Sequence, residues 1–325
     1  MAEDTAFEVL AAMRESIDAE IEELVALHSQ QYGEVAIEAG KILLAGGKRL
    51  RPIIAKLAFQ IAGGTDMSKI RLTALSSEYI HTATLVHDDI NDESLTRRGL
   101  PTMHSVTGQA KGIIGGDWLF VQGFALGGMV CNSDVVRVIS DCCANIASAE
   151  FSQLDHVLDL STSPEDYLEI VKGKTAGPFG AACEAAAYIA DASDEDRIAL
   201  KNFGMQLGIA YQLVDDLLDI NGDERMGKPR GADVYEGKMT LPLIHALTIL
   251  HGEERVRLSE VIRNFDDSLF DELISLLEMA GSIEYANILI DNHIDRARTN
   301  LDVFPESEAK SLILTVLDMV KKRNS

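Results

Sequence analysis

Apolar residues recur every three to four positions along nearly the whole chain, which is the spacing of one helical face and not the alternation of a strand. This period predicts helices over Glu8–His28, Glu34–Leu44, Ile53–Ala62, Lys69–Asp92, Gly112–Met129, Asp134–Leu158 and Asp166–Val171. It continues over Gly177–Ile189, Asp194–Ile220, Leu241–Leu250, Arg255–Ile262, Asp267–Met279, Ile283–Asn300 and Glu306–Lys322. Ser163-Pro164-Glu165 reads as the cap and first turn of the helix at Asp166. No alternating strand, β-α-β rhythm, repeat or Pro/Gly-rich linker interrupts the pattern. The expected architecture is therefore all-α, one domain over residues 1–325, with helices around a central apolar core.

One window tests that reading. Ile113–Cys131, "IIGGDWLFVQGFALGGMVC", is about long enough to cross a bilayer. It carries Asp117, Gln122 and several glycines, without a basic cluster at one flank, so it is read as a fully buried core helix and not a transmembrane segment. The start, "MAEDTAFEVL", is acidic and lacks the basic opening of a secretory signal, which points to a cytoplasmic location. A hydrophobic share of 46% is ample for a core. The net charge of −23 argues against a nucleic-acid partner, because a phosphate backbone needs a basic face, and disfavours anionic membrane surfaces. Cys131, Cys142, Cys143 and Cys183 form no C-x-x-C and read as small buried hydrophobes in a reducing compartment.

Two stretches depart from a core pattern. "LVHDDINDESLTRR" (Leu85–Arg98) crowds Asp88, Asp89 and Asp92, and "YQLVDDLLDINGD" from Tyr211 repeats the spacing at Asp215, Asp216 and Asp219. Positions i, i+1 and i+4 of a helix fall within an arc of about 100°, so each triplet shares one face. Crowded carboxylates raise one another's pKa unless a cation neutralises them. Oxygen donors without His or Cys select a hard ion, and Mg²⁺ suits a site where few carboxylates bind each ion and phosphate completes the shell. Two solvated acidic faces are the plainer alternative. The apolar runs "TATLV" and "YQLV" leading into the triplets, and the lack of Lys at i+4, weigh against it. A calcium loop in "DINGDERMGKPR" fails at Glu224 and Arg230, and a P-loop at Gly237-Lys238 fails at Met239.

Acidic residues outnumber basic ones by 52 to 29, so grouped cations carry information. Lys48, Arg49 and Arg51 share the loop Ala45–Pro52, and Arg97 and Arg98 share Glu93–Ser105. Lys174 follows a glycine, while Lys228, Arg230 and Lys238 lie in Asn221–Lys238, beside the second triplet. Guanidinium forks and lysine point charges are what polyphosphates need. The chain thus offers two ways of holding a diphosphate: metal ions on carboxylates, and bare cations on loops.

From "GGKRLRP" through "HTATLVHDDINDESLTRRG", "GKTA" and "YQLVDDLLD" to "GKPRGADVYEGKMTLPL", the chain resembles the trans-isoprenyl diphosphate synthases, which make farnesyl, geranylgeranyl and longer polyprenyl diphosphates. The resemblance implies the isoprenoid synthase fold, a helical bundle around a central apolar cavity, and a Mg²⁺-dependent condensation of isopentenyl diphosphate with an allylic prenyl diphosphate. It assigns Asp88, Asp89, Asp92, Asp215, Asp216 and Asp219 to three Mg²⁺ ions on the allylic diphosphate, and Arg97 to the same diphosphate. Lys48, Arg51, His81 and Arg98 match the isopentenyl diphosphate site; Lys174, Lys228 and Lys238 match lysines on the departing pyrophosphate. Thr175 and Gln212 match oxygens near the developing carbocation. His81 lies two turns before Asp88 on the same face, whereas His87 reads as structural. The family implies a homodimer. A class I terpene cyclase would carry an N-x-x-x-S-x-x-x-E second motif, and a non-catalytic subunit would lack one acidic cluster; neither pattern is met here.

Ala83 and Thr84, one turn before Asp88, should line the mouth of the tunnel that receives the growing chain. An aromatic at either place often stops elongation in the family. Both are small here, which implies a product of C20 or longer, with C25 in range, and a floor set by Phe120, Phe124 or Met129. Ala83→Phe is expected to shorten the product, as read by chromatography of the dephosphorylated alcohols; an unchanged length would discredit the tunnel assignment.

Overall fold

The computed structural model describes residues 3–221 and 230–322. Lys228, assigned above to the pyrophosphate, lies outside the described residues. The helices are α1 (Glu3–Tyr32), α2 (Glu34–Leu44), α3 (Leu50–Ile61), α4 (Met67–Asn91), α5 (Met103–Thr107), α6 (Gln109–Gly128), α7 (Ser133–Asp155) and α8 (Pro164–Val171). They continue as α9 (Gly177–Ile189), α10 (Asp194–Asn221), α11 (Ala232–Tyr235), α12 (Leu241–Ile249), α13 (Gly252–Arg263), α14 (Phe270–Met279), α15 (Ser282–Asn300) and α16 (Glu308–Lys322).

Every helix expected from the period is present, with ends that shift by a few residues. Local chemistry explains several starts. The Asp66 carboxylate accepts from the Ser68 amide at 3.1 Å to cap α4. Ser163 and Asp166 form a reciprocal capping box with Pro164 in the first turn of α8, as the sequence suggests. The expectation of no strand is corrected by a short hairpin, β1 (Thr96–Arg97) with β2 (Leu100–Pro101). A π-helical turn at Lys172–Ala176 also escaped the pattern. Elements of two to five residues are too short to register a period.

The chain packs as two compact units: Met1–Cys143 with Ala181–Lys201 and Leu301–Thr315, and Ala144–Gly180 with Asn202–Asn300 and Val316–Ser325. In the first, α4 packs chiefly on α6 and α3. Phe59, Leu75, Tyr79 and Leu119 are fully enclosed; burying an apolar side chain of this size contributes about 2 kcal/mol. Glycines let α6 approach α4: a Cβ on Gly123 would lie 2.7 Å from Ile80 Cγ1, and one on Gly116 would run into the His87 ring. His87 also hydrogen-bonds to Ile113 O at 3.1 Å and stacks on Phe120, so its role is structural as read.

Two expectations need correction here. Helix α6 is buried along its glycine face only, with Ile114 and Val121 58% and 61% exposed. Glycine hydropathy does not declare a side, so the window looked uniformly apolar. No single helix among the described residues is long and apolar enough to cross a membrane. Of the cysteines, Cys183 is buried, Cys142 and Cys143 are half-buried, and Cys131 is exposed in the turn after α6.

In the second unit α12 packs on α15 and α8, and α14 on α13 and α15. His293 of α15 is buried and shares a 2.7 Å hydrogen bond with Gln206. Burial first, then Arg296 and Lys172, push its pKa from 6.5 down to about 4. The unfolded chain therefore takes up this proton before the folded one does, and stability is lost as pH falls from 6.5 through 4. Relative to His293→Gln, the native protein should lose roughly 3 kcal/mol between pH 7 and pH 4, measured by urea unfolding of both.

Candidate active site

The last turns of α4 carry the first acidic triplet. Asp88 and Asp92 are half-buried, and Asp89 between them is 1% exposed. Arg97 Nε donates to Asp89 Oδ1 at 2.7 Å, while Asp89 Oδ2 is buried with no hydrogen-bond partner among the described residues. Burial raises the Asp89 pKa and Asp88 adds to this; Arg97 offsets only part.

The hairpin delivers two arginines to two places. Arg98 and Gly99 form its turn with φ of 52° and 76°, the left-handed pair that a two-residue hairpin needs. Arg97 on β1 meets Asp89, whereas Arg98 donates from Nη1 to Gly46 O in the loop Ala45–Pro52. A Cβ on Gly47 would lie 2.9 Å from the same Arg98 nitrogen, so a larger residue there would push the guanidinium aside.

His81 sits where these groups converge. Burial, and then the charges of Arg51, Arg98, Arg97 and Arg49, hold its pKa well below the ordinary value, so the ring is neutral. A neutral imidazole among guanidinium groups is a surround suited to an anion. Lys48, in the same loop, is exposed. Arg49 is not: it is buried, with Nε 2.7 Å from Asp18 Oδ1, Nη1 2.6 Å from Glu78 Oε1 and Nη2 2.6 Å from Leu43 O. Of the expected tunnel residues, Ala83 has no exposed surface and Thr84 is half-buried, its hydroxyl bonded to His81 O at 2.7 Å. Phe120 and Phe124 are half-buried, and Met129, just after α6, is 63% exposed.

The second triplet lies in the second unit, near the end of α10. Its middle member is again the buried one: Asp216 is 2% exposed, with Asp215 and Asp219 half-buried. Tyr167 Oη donates to Asp216 Oδ2 at 2.5 Å and Gln212 Nε2 to Oδ1 at 2.8 Å. Thr175 in turn donates to Gln212 Oε1 at 2.8 Å. Asp219 accepts from the Asp233 amide at 3.2 Å, which ties it to α11. Lys174 Nζ lies 2.5 Å from Glu150 Oε2, and Lys238 pairs with Glu236. Thr175 and Gln212, linked to Asp216, are thus brought together.

Tyr167 and Asp233 were not singled out from the sequence. Tyr167 falls on the apolar face of α8 and looks like core. Asp233 lay inside a segment noted for its lysines.

Two donors fit an ionised Asp216, yet burial first, then Asp233, together with Asp215, push its pKa up to about 8. Among the described residues no three His, Cys, Asp or Glu side chains are close enough to hold a metal by themselves. The donors present are carboxylates with an orphaned oxygen at Asp89 and a poorly ionised group at Asp216. They fit a hard divalent ion that takes one or two carboxylates and completes its shell with phosphate and water.

The Polyprenyl synthetase family model matches residues 34–277 of this chain. The chain belongs to that family. As a polyprenyl synthetase it is a prenyltransferase with the all-α isoprenoid synthase fold. It is 34% identical over 322 residues to the short chain isoprenyl diphosphate synthase of Methanothermobacter thermautotrophicus, covering 97% of this chain and 98% of the relative. It is 34% identical over 285 residues to the octaprenyl diphosphate synthase of Escherichia coli, covering 87% and 88%. The crystal structure of the polyprenyl synthase from Caulobacter crescentus CB15, complexed with calcium and isoprenyl diphosphate, matches with a TM-score of 0.90 at 33% identity over 97% of each chain. Short- and long-chain enzymes are about equally similar, so overall similarity leaves the product length of this synthetase open.

A carboxyl whose folded pKa is raised contributes stability below its unfolded pKa and loses it as pH rises to the folded value. Asn cannot ionise. Without divalent ions, Asp216→Asn should therefore be more stable than the native synthetase, by a margin that grows from pH 4 to pH 8 and then levels. Thermal unfolding in EDTA measures it, and the same variant should lose about a hundredfold or more in turnover.

Proposed function

We propose that this prenyltransferase is an all-trans polyprenyl diphosphate synthase, one domain over residues 1–325, which condenses isopentenyl diphosphate with an allylic prenyl diphosphate in the presence of Mg²⁺. The observation that carries the reading is the hairpin that sends Arg97 to the buried Asp89 and Arg98 to the loop of Lys48 and Arg51, with His81 in the electrostatic reach of these arginines. A calcium- and isoprenyl diphosphate-bound relative of the same fold supports it.

Asp88, Asp89, Asp92, Asp215, Asp216 and Asp219 would hold the ions, three per site by family likeness. Bound Mg²⁺ would supply electrostatic stabilisation to the diphosphate leaving group. Arg97 serves the allylic diphosphate, and Lys48, Arg51, His81 and Arg98 serve isopentenyl diphosphate. The allylic C–O bond breaks with its electron pair leaving on pyrophosphate, whose charge is met by Lys174, Lys238 and, by sequence match, Lys228. The terminal carbon of the isopentenyl diphosphate double bond, held close by its cations, then forms the new C–C bond, which leaves the cation on C3. A proton passes from C2 to the departed pyrophosphate, and the C–H electron pair restores a double bond. Thr175 and Gln212 turn oxygen toward the transient cation, and apolar walls keep water from quenching it. A product of C20 or longer follows from small side chains at Ala83 and Thr84. We further propose a cytoplasmic homodimer; the exposed apolar positions Ile114 and Val121 of α6 are a surface suited to a second copy.

Incubation with Mg²⁺, radiolabelled isopentenyl diphosphate and, in turn, C5, C10, C15 and C20 allylic primers tests the reading. Linear products of C20 or longer are expected, with turnover abolished by EDTA. Undiminished turnover after EDTA stripping, or a cyclised hydrocarbon product, would overturn it.

A further inference from the structure

The loop "GGKRLRP" contains a residue that its neighbours' chemistry does not explain. Lys48 is exposed and Arg51 lies among the cations around His81, but Arg49 between them turns inward. Its backbone is left-handed, with φ 49° and ψ 35°, a conformation that a long side chain adopts only when its surroundings over-determine it. Three partners do so. Asp18 on α1, Glu78 on α4 and the Leu43 carbonyl on α2 each take one nitrogen of the fork at 2.6–2.7 Å. Glu78 is itself buried, and it stands one helical turn before His81 on the same helix.

We propose that Arg49 is a positioning residue for isopentenyl diphosphate. Its fork fixes the loop that presents Lys48 and Arg51 to the stretch of α4 that presents His81, so that the cations and the imidazole are held at one spacing before substrate arrives. The inference rests on the reading of this loop as the isopentenyl diphosphate site.

The arrangement fits positioning better than simple cohesion. Helix α1 is tied to its neighbours independently, by Lys56 to Glu20 at 2.8 Å and Arg71 to Glu23 at 2.9 Å. Arg49 is one of several such ties to α1, and it also joins the loop to Glu78 in the turn before His81. Lysine could keep the charge but, as a point donor on a flexible stem, could not span Asp18, Glu78 and the Leu43 carbonyl together. Pre-set geometry of this kind matters most for a substrate captured by several charges at once.

The test is steady-state kinetics on Arg49→Lys and on the paired Arg49→Met/Glu78→Met variant. The pair removes both buried charges together and so avoids leaving Glu78 uncompensated. In both, KM for isopentenyl diphosphate should rise about tenfold or more, while KM for the allylic diphosphate changes less than about twofold. Arg51→Gln serves as the reference. If it leaves KM for isopentenyl diphosphate unchanged, the reading of the loop is wrong. If Arg51→Gln raises that KM but the Arg49 variants leave it within about twofold, even with a lowered melting temperature, Arg49 only holds the fold and the inference fails. A parallel rise in both KM values would also overturn it.

Discussion

A carboxylate withdrawn from water must meet a counter-charge or keep its proton, and each acidic triplet contains one such group at its centre. Asp89 and Asp216 occupy the same place in the repeated spacing, and both are buried while their flanking aspartates are half-exposed. The two are handled differently. Asp89 has a permanent cation in Arg97, with one oxygen left over. Asp216 has, among the described residues, the neutral donors Tyr167 and Gln212, set against Asp233 and Asp215. The buried member of the first triplet meets a cation of the chain, whereas the buried member of the second is held by neutral donors and pushed toward its protonated form.

The basic residues are sorted by backbone geometry, not by proximity in sequence. Arg97 and Arg98 are adjacent, yet the tight turn sends one to a carboxylate on α4 and the other to the backbone of the Ala45–Pro52 loop. Lys48, Arg49 and Arg51 divide in the same way, with Arg49 consumed inside the protein. In a chain of net charge −23, four arginines that act electrostatically on one histidine, His81, stand out.

Much of this was legible beforehand. Long helices declare themselves because ten or more residues sample their period several times, and the shared face of Asp88, Asp89 and Asp92 follows from helix geometry alone. Apart from the short hairpin and the π-helical turn, what escaped was decided by contacts remote in sequence. The hydroxyl of Tyr167 meets a carboxylate 49 positions away. The inward turn of Arg49 depends on Asp18 and Glu78, 31 and 29 positions distant. The one-sided burial of α6 depends on which neighbour its glycines admit. Local patterns carry element type well and side-chain destination poorly.

The π-helical turn at Lys172–Ala176 holds one residue more than an α-helical path would, and Lys174 and Thr175 both lie on it. Helix α9 begins at its end. Because the wide turn absorbs that residue, loss of one residue here would let the backbone relax to ordinary helix with the flanking residues kept on their present faces. Phe179, enclosed after the turn, would stay so, while Lys174 and Thr175 would lose the offset that the wide turn gives them. A one-residue deletion between α8 and α9 would therefore be felt first at the two side chains that the wide turn displaces.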